Sequence, residues 1–263
     1  MWDPETETEQ VLSIASDGSS YQGWQVSGGI AVSDGGNVVA WTGVDGQVYA
    51  AHAETGDVVT LPSIPGPGPY RTIGVTSEDC KEGRTADGGC TVFVSTRGQT
   101  PKAYFTSSHG IVDTLPGLLG VSTSDATHVG GVTSIDEMLP GSCSRMLENF
   151  DQELWSTCDN NLGVISPDGT MLVGLPAYGD GFGPNTLDIL DMADGTAVRS
   201  WTSTARSATY FDEVWEDDGH LLVVAYQRGD WAVVRLGTDG SMEYAVPPVT
   251  GQDLERPLIL QTR

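Results

Sequence analysis

The sequence predicts an all-β protein built as a β-propeller. Three observations lead there: turn signals rich in Gly and Asp punctuate the chain, short runs of Val, Ile, Leu, Tyr and Thr lie between them, and the pattern recurs at roughly 40 to 50 residues. Four strands per period is the size of one propeller blade. A lone four-stranded sheet would expose both faces to water, so such units must stack on one another.

The opening stretch, Met1 to Glu9, is acidic and reads as a flexible linker, which leaves residues 10–263 as a single propeller domain. Gln10 to Ala15 and Tyr21 to Val26, joined at Asp17-Gly18, are strand candidates too few to make a sheet. The first full unit runs from Gly29 to Leu61. Its strands are separated by Asp34-Gly35-Gly36, Val44-Asp45-Gly46 and Thr55-Gly56-Asp57, tight-turn signals because Gly and, less readily, Asp accept positive φ. The second unit opens at Thr72 and continues through Cys90 to Ser95, Ala103 to Thr106 and Gly110 to Leu115. The third opens at Leu119, passes through His128 to Thr133, takes a long insertion and returns at Gln152 to Ser156. The fourth comprises Leu162 to Gly174, Leu187 to Asp191 and Ala197 to Trp201. The fifth begins at Glu213, turns at Glu216-Asp217-Asp218-Gly219 and continues through Leu221 to Tyr226, Trp231 to Leu236 and Met242 to Val246.

Arg256 to Gln261 is a further strand candidate with no hairpin partner. Pairing it with the N-terminal candidates would make a sixth blade from both chain ends and close the ring, removing two exposed sheet edges. Six four-stranded blades are therefore expected. The alternatives are five, with a loosely attached N-terminal segment, or seven, with one blade hidden in an insertion.

The chain has 36 acidic against 12 basic residues, a net charge of −24. That balance opposes binding to nucleic-acid phosphates and anionic lipid surfaces, so partners are expected to be neutral, cationic or metal-bearing. No apolar run approaches the ~20 residues that span a bilayer, and direct membrane insertion of this segment is not expected. The four cysteines fall as two local pairs, Cys80 with Cys90 and Cys143 with Cys158, each reading as a polar loop clipped at its base. Four cysteines permit three connectivities, and the sequence does not choose among them. Metal binding would call for closer spacing such as C-x-x-C. Disulfides imply an oxidising compartment. The expectation is a secreted protein, or the ectodomain of a membrane-anchored one, with its export segment upstream of Met1.

The phrase Ile165-Ser166-Pro167-Asp168-Gly169-Thr170-Met171-Leu172-Val173 resembles the S-P-D-G turn of WD40-like (TolB-type) propeller repeats, with Ser33-Asp34-Gly35 and Glu216-Asp217-Asp218-Gly219 as degenerate forms. The tail from Val214 to Arg263, with Trp231-Ala232-Val233-Val234-Arg235 and Arg256-Pro257-Leu258, is similar to the ends of actinobacterial exported or membrane-anchored propeller ectodomains. These resemblances imply a fold and an exported setting, and no particular activity.

Chemistry-bearing residues are plentiful and unpatterned. The best stretch for calcium is Asp180-Gly181-Phe182-Gly183-Pro184-Asn185 with Asp188, Asp191 and Asp194 beyond it. It lacks the D-x-D-x-D-G spacing with a distal Glu, and Asp-Gly is what β-turns use. No cofactor is predicted, and a structural or channel-bound calcium is the one kept open. His52, His109, His128 and His220 fall in four different units without ligand spacing. Asp79, Asp136, Asp212, Glu213 and Glu216 supply carboxylates without a recognisable catalytic pair, and no G-x-S-x-G elbow occurs. Tryptophans along the strands fit wedges between blades better than a sugar platform. The segments with most freedom to recognise something are Pro62 to Pro69, Cys80 to Cys90, Gly141 to Cys158 and Tyr178 to Pro184.

The reading that results is an extracytoplasmic, monomeric, non-catalytic binding or sensing module for a protein, peptide or glycan. The insertions and one propeller mouth would form its contact surface. The alternative is a propeller hydrolase or lyase with a metal or carboxylate site at the central channel.

Overall fold

The computed structural model describes residues 2–3, 8–14, 21–33, 35–77, 79–81, 89–98, 100–136, 141–178, 183–203, 208–252 and 256–260. These residues contain 22 strands in five antiparallel sheets. The first sheet takes β1 (Trp2–Asp3), β2 (Thr8–Ile14), β3 (Tyr21–Val32), β4 (Val38–Gly43), β5 (Val48–His52) and β6 (Val58–Leu61) in chain order. The second holds β7 (Tyr70–Val75), β8 (Thr91–Thr96), β9 (Ala103–Ser107) and β10 (Val112–Thr114). The third holds β11 (Gly120–Ser124), β12 (His128–Asp136), β13 (Gly141–Glu148) and β14 (Gln152–Thr157). The fourth holds β15 (Asn160–Ile165), β16 (Met171–Pro176), β17 (Thr186–Asp191) and β18 (Ala197–Thr202). The fifth holds β19 (Ala208–Asp217), β20 (His220–Gln227), β21 (Asp230–Gly237) and β22 (Met242–Thr250).

The sheets are copies of one another down to single hydrogen bonds. In each, the turn after the third strand of the repeat donates a backbone N–H to the turn after the first: Ala53 to Asn37, Ser108 to Cys90, Asn149 to Thr127, Met192 to Thr170 and Thr238 to Gly219, at 2.7 to 3.0 Å. The first turn is closed by a side-chain oxygen. Ser33 Oγ accepts from the Val38 N–H at 3.0 Å, and Ser166 Oγ accepts from the Met171 N–H at 2.9 Å. Both serines are buried. Asp168 completes the second of these turns by accepting from Ser166 and Thr170. Burial alone would raise its carboxyl, but these bonds hold it below the ordinary range.

Contacts cluster the chain into two compact units, where one domain over 10–263 is expected: residues 1–129, 149–151 and 263, and residues 130–148 and 152–262. Within the first unit, alternate residues of the first two sheets (Val38, Ala40, Val48, Ala50 against Val92 and Val94) make one core. Within the second, Val173, Leu187 and Ile189 of the fourth sheet meet Leu221, Val223 and Leu236 of the fifth. Each such side chain contributes about 1.5–3 kcal/mol on leaving water. Strand β20 is apolar on both faces because Val224 and its neighbour Trp231 bury the opposite side.

Three expectations are corrected. No sixth sheet forms among the described residues. Arg256 to Leu260 adopt no strand; instead Leu258 and Leu260 lie on the Trp231 side of the fifth sheet, and Arg256 bonds Asp212 at 2.9 Å. Pro257 has no N–H to give a ladder, which explains this preference for side-chain anchoring. At the other end, Trp2–Asp3 and Thr8–Ile14 are strands rather than linker, and they extend the first sheet. Strand β3 serves both neighbours, pairing with β2 from Tyr21 to Val26 and with β4 at Val26 and again from Ile30 to Val32, with the register shift between them. The Ser27-Gly28-Gly29 step between the two pairings works as a bulge: Gly29 has φ +72°, and a Cβ there would meet the Thr72 carbonyl oxygen. Finally, Gly141 to Cys158 is no insertion but the hairpin β13–β14: Gly141–Glu148 supplies the strand missing from the third sheet, beside the expected strand at Gln152 to Ser156. Its turn carries no glycine. Asn149 and Phe150 take the left-handed conformation themselves, and the Phe150 ring packs edge-on to Phe93 at 5.1 Å.

Candidate binding groove

The fifth sheet offers a hollow on the face it turns toward the fourth. Its floor is set by small residues: Ala225 of β20 pairs with Ala232 of β21, and Tyr210 of β19 pairs with Ala225. On the outer side Val234 pairs with Tyr244 of β22. Opposite, strand β18 is exposed along its length except for Trp201, which is half-buried. Two alanines facing a strand with one large apolar side chain leave space unfilled. The result is a groove of about 500 Å³ lined by Trp201, Tyr210, Tyr226, Met242 and Tyr244, with Arg228, Asp230, Glu243 and Pro248 at its margin.

The walls are fixed from behind. The Tyr210 N–H and the Thr209 hydroxyl both donate to the Pro184 carbonyl, at 2.8 and 3.1 Å, so the end of the Tyr178 to Pro184 segment is tied to the groove. Burial raises the Tyr210 hydroxyl above its ordinary range, so it is neutral and a donor at neutral pH. Tyr226 rests on Trp231 at 4.9 Å. The outer wall, by contrast, is open: Met242 and Tyr244 are 66% and 63% exposed, high for apolar side chains on a strand. The acids at the margin are engaged, Asp230 by the Thr250 hydroxyl at 2.9 Å and Glu243 by Arg235 at 3.1 Å.

The residues singled out in the sequence lie elsewhere. Cys80 and Cys90 come to disulfide distance with Cα atoms 4.8 Å apart, and Cys143 and Cys158 do so at 4.0 Å across the ends of β13 and β14. Residues 82–88 and 179–182 lie outside the described residues, and with them Asp180 to Phe182 of the calcium candidate. Of its remaining carboxylates, Asp188 accepts from Asn160, Asp191 from the Ala193 N–H, and Asp194 from Thr196. These are turn and strand contacts. The four histidines sit at turns of four sheets, two of them bonded to an Asp three residues earlier, His128 to Asp125 and His220 to Asp217. Among the described residues, Glu216, Asp217 and His220 are close enough together to share a cation, but Arg235 bonds Glu216 at 2.6 Å there.

Asp79 pairs with Lys81 and Asp212 with Arg256, and the side chain of Asp136 lies outside the described residues. Glu213 is the perturbed carboxylate of the set. Burial, then the neighbouring Asp212, push it up to about 7. It lies against Gly163, where an added Cβ would come within 2.9 Å of its Oε1. The tryptophans divide. Trp155 donates to the Met192 carbonyl and Trp215 to the Val164 carbonyl, both bridging neighbouring sheets of the second unit. Trp201 alone of this group reaches the groove. Tyr210 and Tyr244 escaped sequence reasoning because their strands alternate like any other, and only Met242-Glu243-Tyr244, an apolar pair on a strand exposed throughout, carried a local signal.

No family model matches the sequence, and no curated protein matches it. Solved structures do match the fold. A chain from the crystal structure of a mitotic checkpoint complex aligns over 94% of this chain and 75% of its own, with 10% identity and a TM-score of 0.56. The β-propeller domain of Cps50 (Swd1) from Myceliophteria thermophila aligns over 96% and 85%, with 7% identity and a TM-score of 0.52. The C-terminal WD40 domain of Sif2 aligns over 93% and 67%, with 12% identity and a TM-score of 0.51. The chain therefore has the WD40 β-propeller fold that its Ser166-Pro167-Asp168-Gly169 turn resembles. At these identities the likeness concerns the fold alone.

Proposed function

We propose that this protein is a non-catalytic, extracytoplasmic binding module that docks a segment of a partner protein in the groove beside β22. The observation that carries the reading is the open aromatic wall: Met242 and Tyr244 stay exposed on an edge strand while the floor behind them is built and hydrogen-bonded. Aromatic and methionine side chains around a preformed hollow suit the apolar anchors of a partner. Propeller domains commonly serve as rigid platforms for such contacts, which supports the class of function. Two cysteine pairs at disulfide distance support an oxidising location.

The rival reading, a hydrolase or lyase, finds one suitable group in Glu213, whose raised pKa fits an acid or base near neutral pH. The acidic neighbour that acts on it, Asp212, is engaged by Arg256 at 2.9 Å, which argues against these two carboxylates working as a free pair. Selection of displayed nine-residue peptides against the wild type, with Tyr244→Ala as counter-selection, tests the proposal. Enrichment of a peptide class that needs Tyr244 is expected. Enrichment that is indifferent to Tyr244, alongside turnover of a glycan, lactone or peptide that disappears in Glu213→Gln, would transfer the function to the carboxylate.

A further inference from the structure

The groove is electrically polarised, and its polarity specifies the chemistry of what it holds. At one end, the β19–β20 and β21–β22 turns are joined by the Thr238 N–H to the Gly219 carbonyl at 2.9 Å. Five exposed carboxylates gather there: Glu216, Asp217, Asp218, Asp239 and Glu243. Arg235 links the groove residue Glu243 to Glu216, at 3.1 and 2.6 Å, so the groove margin is continuous with this cluster. Two guanidiniums, Arg235 and the Arg199 of β18 whose Nε lies 3.5 Å from where a Cβ on Gly240 would stand, face five carboxylates and leave the end net negative. His220 offsets it only when protonated, and the Gly219 N–H and His220 hold the Asp217 carboxyl below its ordinary range, so it stays ionised. At the other end Arg228 stands on the β20–β21 turn, in the left-handed conformation at φ +55°. No ion pair joins it to another described residue. Asp230, two residues away, is turned to Thr250 instead.

From Met242 to Pro248 the wall is about 20 Å long, the reach of roughly six extended residues. Strand β22 is the edge of its sheet and presents its free side along this length as far as Pro247 and Pro248, which lack the N–H that a ladder needs. An extended chain lying in the groove itself, inside the β22 wall, would turn alternate side chains to the Ala225–Ala232 floor and the others away from it, toward the charged margin. The net charge of −24 adds long-range attraction for a cation.

We infer that the groove receives an extended protein segment in which apolar residues alternate with lysine or arginine, its most basic end over Met242 and Glu243 and away from Arg228. This inference rests on the reading of the groove as the docking site. The test uses fluorescence anisotropy with three dye-labelled, end-capped nine-residue probes of alternating leucine and a second residue: lysine, glutamine or glutamate. A neutral hexasaccharide is the fourth probe.

The lysine probe is expected to bind at least about ten-fold tighter than the glutamine probe and to weaken several-fold between 50 and 300 mM NaCl, as screening shortens the reach of the field. Tyr244→Ala should weaken it about ten-fold. Glu243→Gln combined with Asp239→Asn should bring it to the level of the glutamine probe. Tyr244, Asp239 and Glu243 are exposed, so these variants keep the fold, which thermal unfolding verifies. Equal, Tyr244-dependent binding of lysine, glutamine and glutamate probes would overturn the charge assignment and leave the docking site standing. Tyr244-dependent binding of the hexasaccharide alone would overturn the partner class. Binding of every probe unchanged in Tyr244→Ala would remove the groove itself.

Discussion

Glu213 gives the sharpest physical test of the structure. Its carboxyl lies partly buried against Gly163 and beside Asp212, and it ionises near pH 7 rather than at its ordinary 4.5. The unfolded chain ionises at the ordinary value. Between the two, the folded state therefore binds more protons, and stability is lost as pH rises from about 4.5 to about 7. A shift of about 2.5 units corresponds to about 3 kcal/mol at most. Water at the exposed edge of the side chain screens part of this, leaving about 2 kcal/mol. Glu213→Gln keeps the shape and removes the ionisation, so the variant and the wild type should match at pH 4.5. Above pH 7 the variant should gain about 2 kcal/mol, or about 4–8 °C in melting temperature for a chain of this size. Melting followed by tryptophan fluorescence at half-unit pH steps gives the curve. A gap of constant size across that range would refute the desolvation argument, since it would mean that the carboxylate is already solvated.

Three further outcomes follow from the same contacts. Arg256→Ala removes the counterion of Asp212, so the midpoint at which stability declines with pH should move upward; an unmoved midpoint would show that Asp212 does not act on Glu213. Ser33→Ala and Ser166→Ala each strip a buried turn of its side-chain acceptor and should cost about 1–2 kcal/mol in urea unfolding. The two sites share no partner, so the double variant should be additive within about 0.5 kcal/mol, and strong non-additivity would contradict independent turns. Replacing both Cys143 and Cys158 by serine opens a loop with a sequence separation of 15 and should cost about 3 kcal/mol. Reduction should destabilise the wild type and leave that double variant less affected. Equal sensitivity of the two would mean that the pair is not bonded.

How much was legible beforehand depends on the range of the interactions involved. Ser166 and Ser33 mark the same turn because the acceptor, the left-handed glycine and the N–H it satisfies lie within five residues. The Thr55-Gly56-Asp57 turn is read the same way, from a glycine at positive φ. Where a local signal has two physical outcomes, sequence alone misleads. Gly28-Gly29 suits a turn or a bulge, and the bulge wins because β3 has a partner on each side. The β13–β14 turn was invisible because Asn149 and Phe150 replace glycine there, the Phe150 ring finding its place on Phe93.

The sequence by itself therefore determined the strands that glycine-marked turns set apart, the repeating sheet and the sign of the surface, because alternation, turn chemistry and charge are properties of neighbouring residues. Tertiary structure alone decided that Arg256 to Leu260 lie on the fifth sheet as a side-chain anchor instead of a strand, and that Glu213 loses its water beside Gly163. It alone decided, too, that Trp201, Tyr210 and Tyr244 line one groove. A hollow exists only where two sheets fail to meet, and two alanines paired across strands leave no trace of that failure in their own short stretches of chain.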